Sequence, residues 1–227
     1  MIAAQSHSPD AQQALETLCA TYWRPLYAYL RRSGLSPQAA EDLTQEFFAQ
    51  RVVTKLIFRG LNPAKGKFRT WLLNSLQNLL RNEWDKQQAQ KRGGSHPHLS
   101  LDFQDAEGRY RLELAHDLTP EKIYEREWAM TLLENALNQL RQHYAAANKA
   151  ALFEELKCFL PGALSRQPYS EVALRLGKSE AAVKMAVSRL QQEYGNLLRA
   201  EIKRTVSNPA EEHEELNYLL TVLGGQV

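Results

Sequence analysis

The sequence predicts an all-α protein. Two small helical domains are joined by a flexible linker, and a short further helix follows the second. Three observations predict this. No segment alternates apolar and polar residues at period two over the length of a strand. Apolar residues recur instead at spacings of three and four through most of the chain. Three pairs, Ser8-Pro9, Ser36-Pro37 and Thr119-Pro120, each set a good N-cap before a proline. A proline at the first helical position has no intrahelical partner to lose.

The spacing predicts helices over about 9–32, 37–53, 67–91, 120–145, 149–160, 169–176, 179–204 and 209–223. In the first, Leu15, Leu18, Cys19, Tyr22, Leu26 and Leu30 share a stripe. Leu43, Phe47 and Phe48 face them from the second. Phe68, Leu72, Leu76, Leu79 and Leu80 supply the third, closing a helical core within residues 1–92. Gly93-Gly94 and the following Ser-His-Pro-His break the pattern, and residues 93–119 read as an acidic linker. Residues 120–206 form the second domain. The segment 207–227 reads as a short acidic helix with Leu216, Leu219, Leu220 and Leu223 on one side. It is expected to pack back on the second domain. Its alternative role is a self-masking or partner-binding element.

Composition excludes several classes. With 44% apolar and 24% charged residues in 227, the chain is expected to be soluble and globular. No apolar run approaches the ~20 residues that span a bilayer, and residues 1–10 lack a secretory pattern. A cytoplasmic protein without membrane contact is expected. Cys19 and Cys158 stand alone in apolar-periodic segments, as reduced thiols do. The six histidines show no metal-ligand spacing, no Gly-rich phosphate loop is present, and no cofactor or enzymatic activity is expected.

The net charge of +2 hides a segmented pattern. Residues 51–92 carry a local +8, residues 100–127 a local −4, and residues 165–206 a local +4. From 207 onward there are four Glu and no Lys or Arg. Two basic blocks on an acidic tether suit a protein that meets a polyanion at two places.

Residues 168–190 carry a helix-turn-helix signature. Ala173 precedes Gly177 by four positions and Val183 follows it by six. Ala173 lets two helices approach, Gly177 takes a positive φ at the turn, and Val183 pins the second helix inward. The usual task of such a pair is to set the second helix in a DNA major groove.

The helix from Lys67 is the second signal. Lys67, Thr70, Asn74, Gln77, Asn78, Arg81 and Asp85 lie opposite its apolar stripe. Amides suit base edges, cations suit phosphate, and Phe68 and Trp71 suit unstacked bases. The plainer alternative is a solvated face with both aromatics in the core. On the helix from Pro37, Asp42, Gln45, Glu46 and Ala49 share a face that could dock a basic partner, or simply face water.

Taken in order, Tyr-Trp-Arg-Pro-Leu-Tyr-Ala-Tyr-Leu-Arg-Arg (22–32), Ala-Glu-Asp-Leu-Thr-Gln-Glu-Phe-Phe (40–48), Gly-Lys-Phe-Arg-Thr-Trp-Leu (66–72) and the helix-turn-helix form a constellation. It resembles a bacterial RNA polymerase sigma factor, most closely the compact extracytoplasmic-function type of the sigma-70 family. The resemblance covers roughly residues 12–92 and 121–204. It implies that Asp42, Gln45 and Glu46 dock core RNA polymerase. It implies that the loop 59–67, with Asn62 and Lys65, captures a flipped base of the promoter −10 element. Lys67 closes that loop, and Phe68, Arg69, Trp71, Asn74, Asn78 and Arg81 then fall in the strand-opening and −10-reading helix. Lys178, Ser179, Glu180, Lys184, Ser188 and Arg189 fall at the −35-reading helix. The linker 93–119 corresponds by position to the connector that threads toward the polymerase cleft. The implied partners are core RNA polymerase, promoter DNA and an anti-sigma factor or other regulator. Two other classes remain open. One is a helix-turn-helix regulator that acts without polymerase. The other is a sigma-like interaction protein without DNA function.

Overall fold

A computed structural model gives the fold and describes residues 9–53, 67–89, 101–113, 118–161, 167–206 and 209–224. The all-α expectation holds: the described residues form helices and turns and no strand. The helices are α1 (Pro9–Arg32), α2 (Pro37–Phe47), α3 (Phe68–Ala89), α4 (Phe103–Glu113), α5 (Pro120–Ala146), α6 (Ala150–Leu156), α7 (Tyr169–Leu176), α8 (Glu180–Thr205) and α9 (Pro209–Leu223). A π-helical segment, Phe48–Val53, continues α2, and a 3-10 turn, Lys157–Phe159, follows α6.

The chain divides into two compact units. One comprises residues 1–131 and 204–227, the other residues 132–203. This division differs from the expected boundaries in two ways. The first twelve residues of α5 (120–131) belong with the N-terminal helices. So does α9, which was expected on the second domain.

In the first unit, the predicted stripes are inside. Leu26, Leu30, Phe47, Phe48, Leu72 and Leu76 have no exposed surface, and Leu15, Leu18, Tyr22, Leu43, Phe68, Leu79 and Leu80 are buried. Cys19 is half-buried, and burial pushes its thiol up to about 12, so it is a poor nucleophile. Ser36 caps α2 by accepting the Ala39 N–H at 3.2 Å, with Pro37 at the first position. Thr119 does the same for α5, accepting from Lys122 N at 3.3 Å.

Helix α4 lies within residues 93–119, where an irregular linker is expected. Asp102 caps it, its carboxylate accepting the Asp105 N–H at 3.0 Å. Phe103, Ala106 and Tyr110, spaced three and four apart, are buried. The Phe103 ring sits 5.3 Å from both Trp23 and Tyr27 of α1. Tyr110 joins Ala28 and Ile123 in a small apolar cluster, which brings the start of α5 into this unit.

In the second unit, Leu132, Ala136 and Leu140 of α5 share a core with Phe153, Leu156, Val172, Val183, Val187, Leu190 and Leu198. A buried carboxylate, Glu201, accepts the Gln139 amide at 2.6 Å and the Asn135 amide at 3.4 Å. Its charge is solvated by amides in place of water.

Candidate nucleic-acid interface

The face of the second unit is set by how α7 ends. Gly177 adopts φ 59° and ψ 35°, the left-handed conformation that a side chain resists. Lys178 N–H then reaches back to the Ala173 carbonyl at 3.0 Å, and Gly177 N–H to Leu174 at 3.2 Å. This is a Schellman closure, and it satisfies the last carbonyls of α7. Ser179 caps α8 at once, its hydroxyl accepting the Ala182 N–H at 3.2 Å. Ala173 and Val183 are both buried, as their spacing requires.

Along α8, Val183, Val187 and Leu190 turn inward. Lys184, Ser188 and Arg189 therefore face water, and Lys178, Ser179 and Glu180 are exposed at the turn. Lys184 Nζ lies 2.7 Å from Glu180 and 5.5 Å from the Tyr169 ring centroid. The Glu180 hydrogen bond raises the lysine pKa. Lys184 thus stays cationic, while Glu180, already engaged, can add only an acceptor for a base-edge donor.

In the first unit, α3 presents Thr70, Asn74, Asn78 and Arg81 to solvent, with Lys67, Trp71 and Gln77 half-buried. Gln77 donates to the Tyr29 hydroxyl at 2.9 Å and so serves the fold as well as the surface. Phe68 is a core residue, 5.5 Å edge-on from Tyr22, so among the described residues the aromatic surface at this end is Trp71. On α2, Asp42 is exposed and Glu46 half-exposed, but Gln45 and Ala49 are buried. The acidic face is thus carried by Asp42 and Glu46, beside a half-buried Glu41 that accepts the Gln45 amide at 3.4 Å. Asn62 and Lys65 lie outside the described residues.

Arg69 is the residue whose surroundings the sequence hides most. Only 6% of it is exposed. Its guanidinium pairs with Glu215 of α9 and lies between two rings, 4.8 Å from the Trp128 centroid and 4.1 Å from that of Tyr218. The Tyr124 hydroxyl donates to its backbone carbonyl at 2.9 Å. Lys67 Nζ stands 2.9 Å from the other Glu215 oxygen, close enough to pair the charges without hydrogen-bond alignment. Burial, with the Glu125 carboxylate to which it donates, pushes the Tyr218 phenol up to about 12. Glu215, Tyr218, Trp128 and Tyr124 were not expected as partners of this surface. The signal available was the four-Glu run opposite in sign to residues 51–92. It says that α9 seeks a basic surface, but not which cation it reaches.

The described residues hold no cluster of His, Cys, Asp and Glu fit for a metal ion, and none of their helices is long and apolar enough to cross a membrane. What the two faces offer is cations, amides and a stackable ring on rigid helices. No curated protein and no solved structure matches the chain. Residues 18–90, which span the end of α1 through α3, match the family model of sigma-70 region 2, and this indicates a sigma-factor role in RNA polymerase binding and promoter melting.

Proposed function

We propose that the chain is a two-point promoter-specificity subunit of the extracytoplasmic-function type. Asp42 and Glu46 dock core RNA polymerase. The outer face of α3, with Trp71, Asn74, Asn78 and Arg81, engages the opened −10 strand. The outer face of α8, with Lys184, Ser188 and Arg189, reads the −35 duplex. The match at residues 18–90 carries the reading. The placement of Lys184, Ser188 and Arg189 opposite a buried valine stripe supports its second half.

Promoter opening of this kind needs no reactive side chain. Unstacking a base costs on the order of a few kcal/mol, and stacking on Trp71 together with phosphate neutralisation offsets it. Two contacts on one chain also raise the effective concentration of the second once the first is made.

The test mixes the chain with core polymerase and promoter DNA and follows open-complex formation by permanganate reactivity. The parent opens the promoter. Asp42→Arg lowers polymerase affinity at least tenfold. Trp71→Ala leaves polymerase binding intact and lowers open-complex yield. Failure of the parent to bind polymerase would falsify the reading. Tight duplex binding without polymerase would point instead to a polymerase-independent regulator.

A further inference from the structure

We propose that α9 is a masking helix, occupying Lys67 and Arg69 with an imitation of a nucleic-acid strand so that α9 and single-stranded DNA compete for them. The proposal rests on the reading of α3 as a strand-binding helix.

The first support is chemical likeness. A phosphodiester backbone offers a cation an anionic oxygen pair, and the bases beside it offer π faces. Glu215 offers the same cations a carboxylate, and Tyr218 lays its ring 4.1 Å from the Arg69 guanidinium. Glu215 is 3% exposed, so its charge has been withdrawn from water and depends on Lys67 and Arg69 for compensation. An arginine in a paired, stacked setting is the form in which this side chain grips nucleic acid. Here the ligand belongs to the chain itself.

The second support is the charge pattern. The segment from residue 207 carries four Glu and no Lys or Arg, and the block it meets carries a local +8. An ordinary packing helix needs no such imbalance.

The third support is the modest grip of α9. Its buried residues, Glu215, Leu219 and Val222, lie along one edge, while His213, Glu214, Asn217, Leu220 and Thr221 are exposed. A helix held along one edge, with few buried apolar contacts, is among the elements that open most readily by themselves. A mask must have this property. While α9 is seated, Arg69 is closed to solvent, and the apparent affinity for a strand is the intrinsic affinity multiplied by the fraction of molecules in which α9 is open.

The experiment uses the full chain and a dT oligonucleotide read by fluorescence anisotropy. Glu215→Gln removes the charge at nearly constant shape, and Tyr218→Ala removes the ring without touching the ion pair. Each is expected to bind the oligonucleotide about ten- to a hundredfold more tightly than the parent. Adding Arg69→Gln to either is expected to abolish the gain, while the same change in the parent has little effect. A second readout needs no variant: hydrogen exchange in α9 should speed up when the parent is saturated with the oligonucleotide. Variants that keep the parent's helical circular dichroism yet bind no more tightly, or unchanged α9 exchange at saturation, would overturn the mask. Those outcomes beside normal promoter opening with polymerase would remove the mask alone. A clear gain in strand binding without polymerase-dependent opening would remove the promoter reading and keep the mask.

Discussion

The carboxylate of Glu107 shows how one residue ties α4 to α1. One oxygen accepts the Tyr27 hydroxyl and Arg31 Nε, both at 2.8 Å. The other accepts Arg31 Nη2 at 3.0 Å and Arg111 Nε at 3.1 Å. The Arg31 guanidinium also lies 4.9 Å from the Tyr110 ring centroid. These donors, Arg31 foremost, hold the Glu107 carboxyl down at about 2, against 4.5 for an ordinary glutamate, although burial pushes the other way. A carboxyl held low in the folded state stabilises the fold at pH values above its unfolded range. That contribution fades as pH falls from about 4.5 toward 2. Glu107→Gln is therefore expected to cost about 1–3 kcal/mol near neutrality. Urea unfolding at neutral and acid pH checks it: the gap from the parent should narrow steadily below pH 4.5. A gap independent of pH would mean that shape, not charge, does the work. Nothing in the sequence announces this group. Tyr27 and Arg31 lie 80 and 76 positions from Glu107, and an acid in an acidic segment carries no mark of the arginine it will meet.

At the scale of single elements, the turn between α7 and α8 depends on one backbone conformation. A Cβ added at Gly177 meets no atom within 4 Å, so the cost of a side chain there is one of φ alone. Gly177→Ala is expected to destabilise by about 1–2 kcal/mol, and Gly177→Asn by less, because Asn tolerates the left-handed region. Thermal unfolding of the two variants beside the parent checks the order, and an alanine variant as stable as the parent would contradict it. This element was legible because Ala173, Gly177 and Val183 are each required by steric rules that act over a few residues. Helix α4 obeys an equally local rule, with Phe103, Ala106 and Tyr110 at helical spacing behind the Asp102 cap. Gly108 within it and the acidic residues around it weaken its intrinsic helicity, so its order comes from burial against α1. The π-helical stretch Phe48–Val53 reads in the sequence as a plain continuation of the helix from Pro37, because a single widened turn breaks no cap or proline rule.

At the scale of the whole molecule, charge is the quantity that the residue count conceals. A net +2 gives the free chain little attraction for duplex DNA beyond what a few placed cations supply. If Lys178, Lys184 and Arg189 each meet one phosphate, a fourfold rise in salt should weaken duplex binding about fortyfold. Lys184→Ala with Arg189→Ala should cut that dependence to about a fourfold loss. A salt titration by anisotropy reads both, and an unchanged slope in the double variant would place the contact surface elsewhere. The assignment of chain to compact units was the least legible property. Apolar spacing shows that α9 has an inner edge, but Leu219 and Val222 suit any apolar surface, and their position in sequence argued for the nearer one.

The discontinuity of the first unit has a consequence for how the protein is made. Glu215 follows Arg69 by 146 positions, with the whole second unit between them. At ribosomal rates of about 5–20 residues per second, α9 is synthesised roughly 7–30 s after the helix that it will cover. During that interval Lys67 and Arg69 are uncovered on a growing chain, beside the RNA-rich surface of the ribosome. Every newly made molecule thus passes through an unmasked stage before α9 is complete.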